Sequence, residues 1–230
     1  MHRPQHRRRP SLLAAAIVAL LSATAAADVT VVDFDYYPDG SPVLPADLIQ
    51  SQWSTWGVVF SNAAGEPINV SNNACSLSPP NHAYATTVVA RFVDTCSGSP
   101  ALVALAGTAQ DTCWFPGEGI VMRAYDANGT LIASALNQGS GNRVVFAFSE
   151  PVIARLEMDC VLQGIDDFEF DRPVAIQPAD LNGDGSVSGA DLGILLGTWG
   201  VCTDCCPADV NRDGEVNGAD LGILLAAWSG

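Results

Sequence analysis

Residues 28–172 consist of short runs in which apolar and polar side chains alternate. β-Branched and aromatic residues dominate these runs, and Gly, Pro, Asn and Asp separate them at short, fairly regular intervals. Alternation with a period of two buries one face of a segment, as in a half-buried β-strand. The pattern predicts an all-β, jelly-roll-like sandwich over residues 28–172. The predicted strands are 29–35, 57–61, 86–93, 101–106, 119–126, 130–135, 143–149, 152–159 and 165–170.

Two pairs of neighbouring runs predict β-hairpins. The runs IVMRAYD and TLIASAL flank residues 127–129, where Gly129 can adopt the positive φ that a tight turn requires. The runs VVFAFS and VIARLEM flank residues 150–151 and predict a second hairpin.

The apolar period becomes helical in the C-terminal part. Leu192, Leu195, Leu196 and Trp199 recur at the spacing i, i+3, i+4, i+7, and the same stripe returns 29 residues later. The stripes predict two helices, over 189–199 and 218–228, that pack against each other as a pseudo-twofold pair. Two prolines within 173–178 predict a stiff, extended linker before this part.

A polar segment precedes each helix: DLNGDGSVSGAD begins at Asp180 and DVNRDGEVNGAD begins at Asp209. Calcium takes about six to eight oxygen ligands, which a loop supplies from its positions 1, 3, 5, 7, 9 and 12. Gly185 and Gly214 occupy the sixth position, where the chain must turn sharply. The spacing predicts two calcium ions (Ca²⁺), one in each loop. Their expected ligands are Asp180, Asn182, Asp184, Ser186, Ser188 and Asp191, then Asp209, Asn211, Asp213, Glu215, Asn217 and Asp220.

The eighth position of each loop is valine. Val187 and Val216 are expected to form a small β-bridge between the two loops. A domain of this size buries little surface, so we expect calcium to contribute much of its folding free energy.

Over residues 180–228 the chain resembles the dockerin type I module, through DLNGDGSVSGADLGILL and DVNRDGEVNGADLGILL. Both loops end in Asp, and no helix precedes either loop, as in that family. The form is closest to the tails of secreted planctomycete-type bacterial proteins. The resemblance implies a dockerin-like calcium-binding domain over 179–230 that attaches the protein to a cohesin-like or cell-surface partner.

Positions 10 and 11 of the loops depart from the cellulosomal members of that family. They are Gly189-Ala190 and Gly218-Ala219, where those members often carry hydroxyl residues. A cellulosomal cohesin is therefore not expected as the partner. The smooth Gly/Ala face suits close docking on a different receptor or on the chain's own sandwich.

The segments VVDFDYYPDGSPV, WGVVFS and GIDDFEF resemble the jelly-roll sandwiches of secreted bacterial proteins, including carbohydrate-binding-module-like domains. The resemblance implies a possible carbohydrate ligand, because aromatic rings stack on the apolar faces of sugars. The same aromatic side chains could instead fill the core. The candidate rings are Tyr36, Tyr37, Trp53, Trp56, Tyr84 and Trp114.

Residues 1–27 have the pattern of a signal peptide. A basic start precedes the apolar run 12–21, and Ala25 and Ala27 suit cleavage before Asp28. The run is too short for a good membrane span, so we expect a secreted or cell-surface protein with no span in the mature chain. Cleavage would leave six Arg against 25 acidic residues, and such a surface repels nucleic acid.

The seven cysteines indicate disulfides, which export permits. No His lies near the cluster CTDCC, so a local bridge there is favoured over a zinc site. The odd count leaves at least one thiol outside an intramolecular pair. The expected bridges are Cys75–Cys96, Cys113–Cys160 and one from Cys202 to Cys205 or Cys206.

The sequence predicts no catalytic residue. The spacing of the Glu residues at 66, 118, 157 and 169 does not single out a glycosidase pair, and His82 has no evident Ser and Asp partners. Acidic residues at 33, 35, 166 and 167 lie on the predicted first and last strands, where they would face solvent or hold a further calcium.

We therefore expect a secreted, non-catalytic binding or structural protein. The alternative is a component of polysaccharide degradation, either a carbohydrate-binding module or a glycoside hydrolase, that a dockerin carries.

Overall fold

The computed structural model describes residues 29–72, 76–110, 119–137, 142–160, 164–203 and 205–229. Within these ranges the chain is mainly antiparallel β-sheet with two short helices. The strands are β1 Thr30–Val32, β2 Leu48–Ile49, β3 Val58–Asn62, β4 Ile68–Ser71, β5 His82–Tyr84, β6 Thr87–Phe92, β7 Ala101–Leu102, β8 Leu105–Gln110, β9 Ile120–Tyr125, β10 Leu131–Asn137, β11 Arg143–Ala147, β12 Arg155–Asp159, β13 Ile165–Phe170, β14 Val174–Ala175, β15 Gly200–Val201 and β16 Glu215–Val216. The helices are α1 Gly189–Gly197 and α2 Gly218–Ala226.

Two antiparallel sheets form the larger part of the fold. One has the order β11-β8-β13-β5-β4-β2, with β1 also paired to β13, and the other has the order β10-β9-β12-β6-β3. Both sheets contribute buried side chains to one core. In β9, Ile120, Met122 and Ala124 are buried while the residues between them are partly exposed. The prediction of a β-sandwich-like fold from the alternating pattern is confirmed.

The first predicted hairpin is confirmed. Strands β9 and β10 pair across a turn in which Gly129 has φ +80°. The carboxylate of Asp126 shapes the turn, because its Oδ1 accepts hydrogen bonds from the N–H groups of Asn128 (2.9 Å) and Thr130 (2.7 Å).

The second predicted hairpin is wrong. Strand β11 pairs with β8 in the larger sheet, whereas β12 lies between β6 and β9 in the smaller sheet. The connection between β11 and β12 therefore crosses from one sheet to the other. Within it, the fully buried Ile153 forms an isolated β-bridge with Val103. Alternation identifies a strand but does not specify its partner.

The C-terminal part has a small core of its own. Leu195 of α1 and Leu224 of α2 are fully buried in it, together with Val187 and Val216. Both helices begin where the sequence predicts but end two residues early. At the end of α1 the Thr198 N–H donates to the carbonyl groups of residues 194 and 195, which tightens the last turn.

The expected bridge between Val187 and Val216 is wrong. The N–H of Val187 donates to Ser229 Oγ (2.9 Å), and the N–H of Ser229 donates to Val187 O (3.0 Å). Val216 pairs with Gly200 in the β15–β16 ribbon. Each valine thus pairs with the segment that follows the helix of the other repeat, because both valine side chains fill the small core between the helices.

The segment between the two cores is extended and bound to the sandwich. Strand β14 pairs with β7, and the N–H of Ile176 donates to Pro100 O (3.0 Å). The predicted linker over 173–178 therefore contains strand β14, which is hydrogen-bonded to the sandwich through β7.

Candidate functional site

In loop 1, residues 180–191, the side chains at positions 1 and 3 accept hydrogen bonds from backbone N–H groups of the same loop. Asp180 Oδ1 accepts a hydrogen bond from the N–H of Gly183 (2.9 Å), and its Oδ2 accepts one from Gly185 (2.8 Å). The N–H of Asp184 donates to Asn182 Oδ1 (2.9 Å). These contacts between side chains and nearby backbone groups are turns that Asp and Asn favour.

The last residue of loop 1 closes it. Asp191 is fully buried, and its Oδ1 accepts hydrogen bonds from the N–H groups of Leu181 (2.8 Å) and Asn182 (3.1 Å). Its Oδ2 accepts one from Ser188 (2.8 Å). Burial acts to raise the pKa of Asp191, but the hydrogen bonds from Ser188, Asn182 and Leu181 outweigh it and lower that pKa.

Loop 2, residues 209–220, repeats this arrangement. Asp209 Oδ2 accepts from the N–H of Gly214 (2.9 Å), and the N–H of Asp213 donates to Asn211 Oδ1 (2.9 Å). Asp220 is also fully buried, and its Oδ1 accepts from the N–H of Asn211 (3.1 Å). The repeat in sequence is therefore a repeat in hydrogen-bond geometry.

The remaining predicted ligands occupy equivalent places in the two loops. Ser186 and Glu215, at position 7, are exposed. Ser188 and Asn217, at position 9, are the N-caps of α1 and α2, and both take part in a capping box with the Asp at position 12.

The loops carry the kinds of ligand atom that a calcium ion takes. Gly185 (φ +89°) and Gly214 (φ +93°) make the sharp turn at position 6, and the side chains offer carboxylate, amide and hydroxyl oxygen atoms, which are hard donors. Within the described residues, neither Asp191 nor Asp220 pairs with an Arg. Backbone N–H groups already stabilise the charge of both carboxylates, and a bound cation would stabilise it further. Among the same residues, no three His, Cys, Asp or Glu side chains lie close enough together to form a metal-binding cluster.

Two disulfides lie at the C-terminal part. The predicted local bridge is confirmed as Cys202–Cys206. The predicted Cys75–Cys96 bridge is wrong, because Cys96 of the sandwich pairs with Cys205 across 109 residues of sequence. The predicted Cys113–Cys160 pair lies outside the described residues at position 113.

Asp94 lies on the sandwich beside Cys96, where the sandwich contacts the C-terminal part. It is 6% exposed, and its Oδ1 accepts hydrogen bonds from the N–H groups of Cys96 (3.0 Å) and Ser97 (2.9 Å). Burial acts to raise its pKa, but these hydrogen bonds and the charge of Arg212 lower it overall. Asp94 and Arg212 form an ion pair, and a cavity of about 230 Å³ lies between the sandwich and the two loops beside it.

The proposed stacking rings do not share one surface. Trp53 is fully buried in the core against Phe34 and Phe60, so its prediction as a sugar platform is wrong. Trp56 is half-buried and lines an open groove of about 480 Å³ with Arg172. Of the other four rings, Tyr36 and Tyr84 are exposed, Tyr37 is half-buried, and Trp114 lies outside the described residues.

The glutamates considered for a glycosidase pair have other contacts. Glu157 pairs with Arg155 (3.0 Å) and Glu169 with Arg143 (2.9 Å). Glu66 accepts a hydrogen bond from a neighbouring side chain, and position 118 lies outside the described residues.

His82 has a serine contact that the sequence did not suggest. Its Nδ1 lies 3.2 Å from Ser76 Oγ, and both residues are buried. Ser76 Oγ also donates to Pro80 O (3.0 Å), so the contact helps to hold the segment 76–80 in place.

The acidic residues of the first and last strands are neighbours, because β1 pairs with β13. Asp166 does not face solvent as expected: it is fully buried, and its Oδ2 accepts from the N–H groups of Leu77 (2.7 Å) and Ser78 (2.9 Å). Burial raises the pKa of Asp166 to about 6. The nearby Asp167 pairs with Arg143 (3.4 Å).

Comparison of the chain with protein-family models, with curated proteins and with solved structures finds no match. Within the part of the chain that the structure describes, no helix is long and apolar enough to cross a membrane.

Proposed function

We propose that this is an exported, non-catalytic binding or structural protein whose residues 179–230 form a dockerin type I-like domain holding two calcium ions. One observation carries the proposal: Asp191 and Asp220 are fully buried carboxylates that each close a loop of oxygen donors. Bound calcium would supply the positive charge that balances them. The twelve residues at positions 1, 3, 5, 7, 9 and 12 of the loops would hold the two ions.

Apolar side chains exposed on the two helices and just after them support a role in attachment. Leu196 and Leu225 are each 53% exposed, and Trp199 and Trp228 are 50% and 40% exposed. Exposed apolar side chains that lie together mark interaction sites more often than isolated ones do. We propose that these side chains attach the protein to a cohesin-like or cell-surface partner.

Carbohydrate binding by a jelly-roll-like sandwich is a second candidate function. The groove lined by Trp56 and Arg172 supports it, because one ring for stacking and one guanidinium for hydroxyl or carboxylate oxygens suit a sugar.

Calcium titration of residues 28–230 tests the first proposal. We expect two ions per chain by isothermal titration calorimetry, and one ion for Asp191→Ala or Asp220→Ala, since each variant lacks one closing carboxylate. The control Glu150→Gln removes an exposed acid of the sandwich and should still bind two. If the wild-type protein binds no calcium, the proposal is rejected.

Attachment is tested by surface plasmon resonance with cohesin-like modules and cell-envelope fractions as immobilised ligands. We expect binding that needs calcium and that the double variant Leu196→Glu/Leu225→Glu loses while its two calcium ions remain bound. Binding that survives this variant would place the contact on another surface.

Pull-down with insoluble polysaccharides tests the second candidate. Trp56→Ala should abolish binding, and Tyr84→Ala, which removes an exposed ring outside the groove, should leave it intact. Absence of binding to every polysaccharide would reject this candidate. Release of reducing sugar would indicate that the sandwich is an enzyme instead.

A further inference from the structure

Loops 1 and 2 differ at their fourth position. Loop 1 has Gly183 there with φ +72°, and loop 2 has Arg212 with φ +61°. The left-handed region is unfavourable for residues with a Cβ atom, so glycine suits this position better by backbone conformation alone. The side chain of Arg212 has contacts that can help to hold this conformation.

The guanidinium of Arg212 bonds to the sandwich at two points. One nitrogen pairs with the carboxylate of Asp94, and the other donates to Pro173 O (3.1 Å). The Asp94 carboxylate is almost fully buried and also fixes the turn that carries Cys96. Contacts between an Arg and a buried carboxylate are among the stronger ones in proteins.

Loop 1 lacks an equivalent contact. Among the described residues no ion pair joins positions 180–191 to the sandwich, and a Cβ atom at Gly183 would meet nothing within 4 Å. The Cys96–Cys205 disulfide also bonds the segment just before loop 2 to the sandwich. The two loops therefore have the same ligand pattern but different surroundings.

We propose that Arg212 is a positioning residue through which the sandwich raises the calcium affinity of loop 2. The inference rests on the proposed function, because it requires that both loops bind calcium. Arg212 lies between the ligands Asn211 and Asp213. Fixing its backbone conformation orders both neighbours before the ion arrives, so less conformational freedom is lost on binding.

The coupling acts in both directions. If docking on Asp94 raises the affinity of loop 2 for calcium, calcium in loop 2 strengthens docking by the same factor. Loop 2 then binds calcium more tightly than loop 1, and the first ion strengthens the docking of the C-terminal domain on the sandwich. Loop 1 responds to calcium independently of the sandwich.

The test measures each loop separately in the full mature chain. Asp191→Ala leaves loop 2 as the intact site, and Asp220→Ala leaves loop 1. In the first background, Arg212→Gly and Asp94→Asn should each weaken calcium binding about fivefold or more, the lower end of typical coupling. In the second background, both changes should alter the affinity less than twofold.

Two comparisons separate positioning from a purely local effect. Arg212→Gly relieves the unfavourable backbone conformation, so a local effect alone would leave loop 2 unchanged or tighten it. Asp94→Asn changes no residue of either loop. The double variant should bind no more weakly than either single variant, because both remove the same contact. The control Glu150→Gln should not change either affinity.

Each outcome decides the inference. Unchanged or tighter binding by loop 2 in Arg212→Gly overturns it, and so does equal weakening of both loops, which would indicate general destabilisation. If the wild-type chain binds no calcium, the proposed function itself fails. If the wild type binds two ions and loop 2 is insensitive to both changes, only the coupling fails.

Discussion

Asp166 shows how a single buried carboxylic acid makes the sandwich sensitive to pH. Burial raises its pKa to about 6, although the N–H groups of Ser78 and Asp167 and the hydroxyl of Ser78 donate to its carboxylate and act in the opposite direction. The protonated form is therefore favoured more strongly in the folded chain than in the unfolded chain, where the ordinary pKa of 3.8 applies.

This shift predicts the sign of a pH effect on stability. The contribution of Asp166 is fully present below pH 3.8 and is lost as the pH rises through about 6. The free energy of unfolding of the wild type, minus that of Asp166→Asn, should therefore increase as the pH falls from 7.5 to 4.5. Urea unfolding followed by tryptophan fluorescence across this range measures the difference.

A second variant serves as the control for that pH effect. Hydrogen bonds from Ser41 lower the pKa of the exposed Asp39 below 3.8, so the wild-type advantage over Asp39→Asn should stay nearly constant from pH 7.5 to 4.5 and fall only at lower pH. A pH-independent difference for Asp166→Asn would contradict the raised pKa.

At the scale of elements, the two helices depend on their surroundings. Each has only nine residues, too few to be stable alone in water, and each begins with a capping box whose acid is also the last residue of a loop. The small core between them contains one fully buried leucine from each helix, Leu195 and Leu224. Closure of each loop and the start of the helix that follows it therefore depend on the same carboxylate.

Adjacent leucines of α2 test the contribution of that core. Leu224→Ala should lower the free energy of unfolding of the C-terminal part by about 2–5 kcal/mol, because it leaves a cavity. Leu225→Ala, at a 53% exposed position, should change it by less than about 0.5 kcal/mol. Thermal unfolding in calcium, followed by far-UV circular dichroism, measures both. Equal effects of the two variants would contradict the observed core.

The elements also show how far the sequence predicts this fold. Local periodicity predicts most of the longer strands but not β2, β4 or β5. The spacing of Asp180 and Asp191 predicts that both belong to one loop, because that signal depends only on nearby residues. Contacts across long sequence separations were not predictable. The partner of β11, the Cys96–Cys205 bridge and the Asp94–Arg212 pair depend on how distant segments meet, which no short pattern encodes.

At the scale of the whole molecule, the C-terminal part is bound to the sandwich in three ways. Strand β14 pairs with β7, Cys96 is bonded to Cys205, and Arg212 pairs with Asp94. The tail is therefore held in one orientation and is not a free appendage on a linker. Loss of calcium should unfold the loops and helices while the disulfide keeps the rest of the tail attached.

Limited proteolysis with trypsin can follow this unfolding at a single position. The chain contains no Lys, and Arg212 is the only Arg after Pro173. In calcium its guanidinium is engaged with Asp94 and Pro173, so cleavage should be slow. In excess EGTA we expect rapid cleavage, detected by mass spectrometry as release of fragment 213–230, which contains no cysteine and so is not held by a disulfide.

The sandwich provides the internal control for this experiment. Its strands carry Arg91, Arg123, Arg143 and Arg155, which should remain uncut in EGTA because the large core does not depend on the loops. Cleavage at these positions together with Arg212 would mean that sandwich and tail unfold as one unit. Equally slow cleavage at Arg212 with calcium and with EGTA would show that the tail folds without the ion, because the chain around Arg212 must open before the protease can bind it.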